Sequence, residues 1–442
     1  MTSFLLSTGT FLHGLAFASA AASVLYVFVF AMASRFGPRA PHAGSPSSAA
    51  PPDAWPSLAV LLPAYREDAV IVDTARRAAQ HDYHGRFEVI VIADSLRPST
   101  LRSLKALPIT LIQVDFEEST KARAINATLN RMATDRYDAV TVLDADNVMA
   151  PGCLEALGRA LAGGARSVQG RRVAKNVGST WALVDGVSEA INNALFRRGH
   201  AALGLSAALI GSGLAIETDL FRRLMAEIDT PAGLDKALEM RLTRRGIVTA
   251  YAPGAVVYDE KVTGSDQFVQ QRSRWMGAQG RYLRTSLRSG LLALRRGGPI
   301  DHVDKVVQTA LPPRGLLLGT LPLAALAAAL AGAFGTPGAF TWAAGWAGLT
   351  GVLILALALA LPRDRPDLEV TGALRALPAA LACAFGALLL SPRALVPNTR
   401  TEHHSVGAPR SAPGAREAED AREAEDACDL PLAADAASRT GA

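Results

Sequence analysis

Apolar and polar positions change their spacing several times along the chain, and each change predicts a different kind of element. Phe11 to Ala33 is almost entirely apolar, long enough to cross a bilayer, and is followed by Arg35 and Arg39. No basic stretch precedes it, so the pattern predicts an anchor with its C-terminal end in the cytoplasm rather than a signal peptide. Gly37 to Pro56 is rich in Pro, Ser and Ala, which describes a linker. From Ser57, short apolar runs alternate with helical spacing. Strands are predicted at Leu58–Leu62, Phe87–Ala93, Ile109–Val114 and Ala139–Leu143, with helices over Asp68–Gln80 and Thr120–Ala133. That alternation predicts an α/β fold, a mostly parallel sheet with covering helices, whose ligands sit at the carboxyl ends of the strands. Leu154–Arg223 is less regular and reads as mostly helical, interrupted by Ile210-Gly211-Ser212-Gly213-Leu214.

A helix then begins near Asp235, with Leu234, Leu238 and Leu242 on one side, and Phe268–Arg284 is helical, basic and aromatic. Three more apolar segments follow, at about Gly315–Phe334, Ala339–Leu361 and Leu377–Leu390; the last contains Pro378 and is barely long enough to span. Arg363-Asp364-Arg365 between the last two reads as a cytoplasmic loop. The pattern divides the chain into an anchor (1–35), a linker (36–56), an α/β domain ending in an interfacial helix (57–290), a second membrane region (291–395) and a charged tail expected to be disordered (396–442).

Composition sharpens this picture. The 442 residues are 50% hydrophobic, with the excess at the two ends. The formal charge is +5, but Arg400–Ala442 holds five Arg against nine Asp or Glu, leaving +9 on the rest. Positive charge beside apolar segments suits a membrane protein facing anionic lipid, and no basic run interleaved with aromatics points to nucleic acid. Cys153, Cys383 and Cys428 lie far apart and form no CxxC, which excludes a disulfide framework or a zinc site.

Candidate chemistry gathers at Asp138–Pro151, DAVTVLDADNVMAP. Alternate residues of an extended segment point the same way, so Asp144 and Asp146 can both face one ligand, and two hard oxygen ligands suit Mg²⁺ or Mn²⁺ carrying a diphosphate. Carboxylates after a strand also serve as turn or cap residues. Other polar residues fall at strand ends, Tyr65-Arg66-Glu67 and Asp94 among them. Gly211-Ser212-Gly213 lets backbone approach a ligand closely, or is an ordinary turn. Asp235 sits where a carboxylate caps a helix. The basic helix can lie on a membrane surface with Arg272, Arg274, Arg281 and Arg284 towards headgroups.

Taken in order, these motifs resemble those of membrane-bound family 2 glycosyltransferases, the GT-A-fold (Rossmann-like) group that includes cellulose, hyaluronan and chitin-oligosaccharide synthases. The resemblance covers about Leu58 to Trp275. Leu62-Pro63-Ala64-Tyr65-Arg66-Glu67 resembles the opening Pro-Ala-Tyr-Asn-Glu element and Ile92-Ala93-Asp94-Ser95 the second-strand Asp motif. Lys121-Ala122-Arg123-Ala124-Ile125-Asn126 is similar to Lys-x-x-Ala-Leu-Asn, Asp144-Ala145-Asp146 to the metal motif, Asp235 to the base Asp, and Gln271-x-x-Arg274-Trp275 to Gln-x-x-Arg-Trp.

The resemblance implies an inverting hexosyltransferase whose Ala64, Tyr65, Glu67, Asp94, Lys121 and Asp144 hold the nucleotide sugar, expected to be a UDP-sugar. It implies Asp144 and Asp146 as ligands of Mg²⁺ or Mn²⁺, and Asp235 as general base. Gly211, Ser212, Gly213, Gln271, Arg274 and Trp275 would lie towards the diphosphate and acceptor. The expected partners are a nucleotide-sugar donor, a carbohydrate or glycolipid acceptor and membrane lipid, with no nucleic acid. The expected location is the plasma membrane, multi-pass, with the catalytic domain cytoplasmic. Departures are Leu234 where a Glu usually precedes the base, Arg66 where an Asn follows the Tyr, and the lack of a Phe-x-Val-Thr segment after Trp275. Two readings of the activity follow: a processive synthase extending a polysaccharide, favoured by Gln271–Trp275, and a transferase adding one sugar to a lipid-linked acceptor. A non-catalytic scaffold is disfavoured by the retained aspartates, and a transporter by the few, almost charge-free apolar segments.

Overall fold

The computed structural model describes residues 2–38, 55–133, 135–230, 232–361 and 368–390. Most of the expected linker, the loop at Arg363-Asp364-Arg365 and the charged tail lie outside the described residues. Among the described residues, eight strands form one sheet: β1 Leu58–Tyr65, β2 Phe87–Asp94, β3 Thr110–Val114, β4 Ala139–Val142, β5 Val148–Met149, β6 Ser167–Ala174, β7 Leu214–Glu217 and β8 Ala250–Asp259. Their order is β3-β2-β1-β4-β7-β6-β8-β5. The four strands expected from the sequence form a parallel half, and β7 joins it antiparallel to both β4 and β6.

Alternate residues of β1 serve two cores. Leu58, Val60 and Leu62 pack with Ile71, Leu154 and Leu157 on one face, whereas Ala59 and Leu61 pack with Ile125, Leu129 and Phe221 on the other. Burial on both faces is why the strand reads as a continuous apolar run rather than an alternation. Phe221 is fully buried in the second core, so Phe221→Ala is expected to cost ~3–5 kcal/mol, read as a lower denaturation midpoint.

Leu154–Arg223 is not mostly helical: it contains β6 and β7. β6 reads SVQGRRVA, and a Gly and two Arg inside the strand leave it no apolar signal; its Arg172 is matched by Glu189 and Asp259. Helix boundaries also move. The first covering helix is Ile71–Ala79, since Asp68 instead accepts the Arg97 N–H at 2.8 Å and the Thr100 hydroxyl at 2.7 Å at the start of helix Pro98–Lys105. The basic helix is much longer than its motif, running Ser265–Arg296.

Among the described residues, three helices are long and apolar enough to cross a membrane: Phe11–Phe36, Arg314–Ala333 and Ala339–Ala360. Leu377–Leu390 has 14 residues, short of the ~20 needed to span. The three long helices share one core through Val24, Val27, Leu317, Leu321, Leu353 and Ala356, and the first of them also packs on Ala194 and Leu195 of the α/β domain. There the chain forms a π-helical turn, Asn193–Gly199. A Cβ at Gly199 would lie 2.4 Å from the Phe30 carbonyl oxygen, so only glycine lets the first of these helices approach this closely.

Candidate active site

The site opens where β4 ends early. β4 pairs with β1 only as far as Leu61, and the Leu143 N–H bonds the Leu61 carbonyl at 3.0 Å. Residues two apart on a strand face the same side. Pro63, with no N–H to give, therefore points into the gap beyond β4, where no ladder bond is lost. Past it, β1 and β2 finish side by side on left-handed residues, Arg66 at φ 57° and Ser95 at φ 56°. Asn tolerates that conformation far better than most residues, which gives a physical meaning to the family's Asn at the position of Arg66. The Arg66 guanidinium settles over the Tyr65 ring, 5.0 Å from its centroid. Asp94 is almost fully buried, its carboxylate receiving the Ser95 hydroxyl at 3.0 Å and the Ser119 hydroxyl.

Asp144 and Asp146 sit on a turn rather than on an extended segment: the Asn147 N–H closes onto the Asp144 carbonyl at 3.0 Å. The turn is gripped from three sides. Thr74 donates its hydroxyl to the Ala145 carbonyl at 2.6 Å, Lys175 its ammonium to the Asp146 carbonyl at 3.3 Å, and the Ser212 Oγ accepts the Asp144 N–H at 3.1 Å. Ser212 also donates to Asn147 Oδ1 at 2.5 Å, so its hydroxyl is used inside the fold. Gln169 is fully buried and shapes the glycine turn, accepting the Ile210 N–H at 3.1 Å and donating to the Ser212 carbonyl at 3.0 Å. Gly211 and Gly213 in that turn have φ of 77° and 61°, which glycine alone adopts freely.

Lys121 opens helix Lys121–Arg131, whose N-cap Thr120 accepts the Arg123 N–H. Its ammonium pairs with the Asp144 carboxylate and donates to the Gly211 carbonyl at 2.8 Å. Asp235 completes the group, since a Cβ at Gly211 would meet both Asp235 Cβ at 3.7 Å and Lys121 Nζ at 3.8 Å. Asp235 does not act through a Ser/Thr-type N-cap: the helix is capped by Gly233, and the Asp235 carboxylate takes the Lys236 N–H at 2.9 Å. Burial pushes its carboxyl above the ordinary range, against the pull of the Lys236 amide and ammonium.

Helix Ser265–Arg296 reaches the same region from the side. Ala278 and Tyr282 pack against Gly233, where a Cβ would lie 3.6 Å from Ala278 Cβ and 2.9 Å from Tyr282 Cε2. Gln271, Arg274, Trp275, Ala278 and Tyr282 follow 3.6-residue spacing and share one helix face. Trp275 is 41% exposed, with its ring beneath Arg272. Arg272 does not face lipid headgroups: it donates to Asp185 at 2.6 Å and lies over the Phe268 ring. That pair belongs to a buried ionic network in which Arg172, Arg197 and Lys261 surround Glu189 and Asp259. Asp259 Oδ1 in turn accepts from Asn147 at 3.1 Å, tying the network to the carboxylate turn.

Among the described residues, no three His, Cys, Asp or Glu side chains gather as a complete metal cage. Two carboxylates on one turn suit a hard cation whose remaining ligands come from phosphate, and the Lys121 ammonium on Asp144 marks the spot as one that accepts positive charge. Sequence reasoning missed Gln169, Asn147, Thr74 and Ser119. Asn147 follows Asp146 directly and Gln169 is a polar residue within a buried strand, but Thr74 and Ser119 gave no signal at all.

Comparison with known proteins bears on the family and the fold. The profile of the family described as Glycosyltransferase like family 2 matches residues 56–278. A Pyrobaculum calidifontis mannosyltransferase solved with GDP-Man and Mn²⁺ is 17% identical, with TM-score 0.53, covering 86% of this chain and 98% of that one. Glucosyl-3-phosphoglycerate synthase of Mycobacterium tuberculosis, solved with Mn²⁺, UDP and phosphoglyceric acid, is 20% identical with TM-score 0.33, covering 46% and 70%. No curated protein matches the sequence. The likeness to the mannosyltransferase concerns the fold alone, and at that coverage it takes in more than the α/β domain. With the profile spanning half of its length, the chain belongs to glycosyltransferase family 2 and is an enzyme of that family.

Proposed function

We propose that the enzyme transfers a sugar from a nucleotide sugar, in the first instance a UDP-sugar, to an acceptor hydroxyl at the cytoplasmic membrane face, with inversion. The observation that carries this reading is the meeting of Asp235, Lys121 and Asp144 around Gly211. The nucleotide would lie along the ends of β1 and β2, against Ala64, Tyr65, Glu67 and the buried Asp94. Asp144 and Asp146 would hold Mg²⁺ or Mn²⁺, which when bound neutralises the diphosphate as it leaves. Lys121 is placed to exchange Asp144 for a phosphate oxygen. Asp235 would take the proton from the acceptor hydroxyl as that oxygen attacks the anomeric carbon. With one base and no assigned covalent nucleophile, a single displacement follows.

Gln271, Arg274 and Trp275 support extension of a polysaccharide, as in the synthases the motif resembles. The exposed indole of Trp275 offers an apolar face to a sugar ring. A second reading, one sugar added to a lipid-linked acceptor, is favoured by the filled interior of the three-helix bundle, where Val24, Val27, Leu321 and Leu353 are almost wholly buried against one another. The full chain in detergent with Mn²⁺, a panel of radiolabelled UDP- and GDP-sugars and sized products separates the two. A ladder supports the synthase, a single-sugar glycolipid supports the second reading, and no transfer from any donor would sink both.

A further inference from the structure

Glu239 lies one helical turn beyond Asp235 on helix Leu234–Arg244 and is only 1% exposed. Oε1 accepts the Leu209 N–H at 3.3 Å, and Oε2 receives the Lys236 ammonium. From the neighbouring helix Ile300–Ala310, the ammonium of Lys305 approaches Oε1 at 3.9 Å. Lys305 is itself fully buried, with Asp304 at 3.8 Å and Gln308 at 3.3 Å. Asp304 accepts the Tyr26 hydroxyl at 2.8 Å and sits 3.2 Å from His200 Nε2, while the Phe30 ring stacks on His200 with centroids 3.7 Å apart. Polar contacts thus run from the first membrane helix to the helix that carries Asp235. The transfer step described above uses none of them.

Burying a carboxylate and an ammonium is expensive, and an apolar pair would hold two helices together with less desolvation. What the ions add is direction. The bond to Leu209 fixes the helix of Asp235 to a segment that reaches Gly211 two residues later, whose carbonyl holds Lys121. We propose that Glu239, clamped by Lys305, is a positioning residue for transfer: it sets the Asp235 helix against the Leu209–Gly211 segment and so fixes the base relative to the donor side. The proposal rests on Asp235 being the base. Glu239 touches neither substrate and acts through these neighbours.

The test uses the full chain in detergent and the Glu239→Gln variant. Gln keeps the shape and an oxygen for the Leu209 N–H but removes the charge. The expected result is a kcat about 10- to 100-fold lower, as for a misplaced catalytic group, with donor KM and Mn²⁺-dependent nucleotide affinity within about threefold of wild type. The acid limb of the pH–rate profile should also move to lower pH. The charged groups facing Asp235 are Lys236 and Glu239 on its own helix and Lys121 from helix Lys121–Arg131, and Glu239 is the one that raises its pKa. Lys305→Met, which leaves Glu239 with Lys236 and Leu209, should give the same kcat-only pattern to a smaller extent, and it carries the test where Glu239→Gln fails to fold. Wild-type kcat with an unmoved acid limb overturns the proposal. So does a loss confined to donor KM, which would place Glu239 with the donor pocket. Asp235→Asn measured alongside separates the two levels: if it is inactive and Glu239→Gln is normal, only the positioning role falls; if it turns over normally, the base and the positioning role fall together.

Discussion

Asp235→Asn is expected to lose about 10²- to 10⁴-fold in kcat, the range supplied by a general base, while nucleotide-sugar binding measured by calorimetry changes little. Normal turnover in this variant would remove the base from the mechanism. The wild-type acid limb should lie above ~3.9, the ordinary Asp value, because burial raises the Asp235 carboxyl and the base must be ionised to work. The same shift has a stability consequence with a definite sign. A carboxylate whose folded pKa exceeds its unfolded pKa binds protons more readily when folded, so folding stability is lost as pH rises through the interval between them. Asn does not ionise. The variant should therefore melt like wild type at low pH and above it at neutral pH, with the gap opening through that interval. A thermal scan across pH reads this directly, and a variant that melts below wild type at pH 7 would contradict the buried, raised carboxyl.

The second large effect is expected at the carboxylate turn. Asp146→Ala should abolish metal-dependent nucleotide binding, with a loss of at least about 100-fold in UDP affinity at saturating Mn²⁺, since even outer-shell partners of a metal cost 10- to 100-fold. Without metal, variant and wild type should bind UDP equally weakly. The turn itself is held by Thr74, Lys175 and Ser212 through backbone atoms, so the fold should survive and the thermal midpoint should move little. Calorimetric titrations with and without Mn²⁺ check the claim, and unchanged Mn²⁺-dependent affinity would move the metal elsewhere.

What was legible in the chain followed from periodicity and from short-range order. The parallel half of the sheet, β1 to β4, announced itself through apolar runs ending in polar residues, among them Asp94 and Asp144. The second half was hidden. β6 carries Arg171 and Arg172 within a strand, and its partners β7 and β8 lie about 45 and 80 residues downstream, so nothing local marks them. Asp144 and Asp146 read as an extended pair in the sequence, whereas they ride a turn whose shape is dictated by Ser212 and Thr74 from distant segments. Asp235 could be read as a cap or as a base from its position alone. Only the fold, which sets Gly211 between it and Lys121, brings the two sides of the chemistry together.

The close seat of Phe30 on Gly199 and His200 bears on how such an enzyme can be handled. A membrane helix that merely tethers could be trimmed away to give a soluble fragment. Here excision at residue 57 would strip Ala194, Leu195 and His200 of their cover, leaving an apolar scar and an Asp304 without its Tyr26 hydroxyl beside the catalytic helices. The N-terminal segment is part of the folding unit, and a fragment lacking it is the wrong material from which to judge whether the enzyme works.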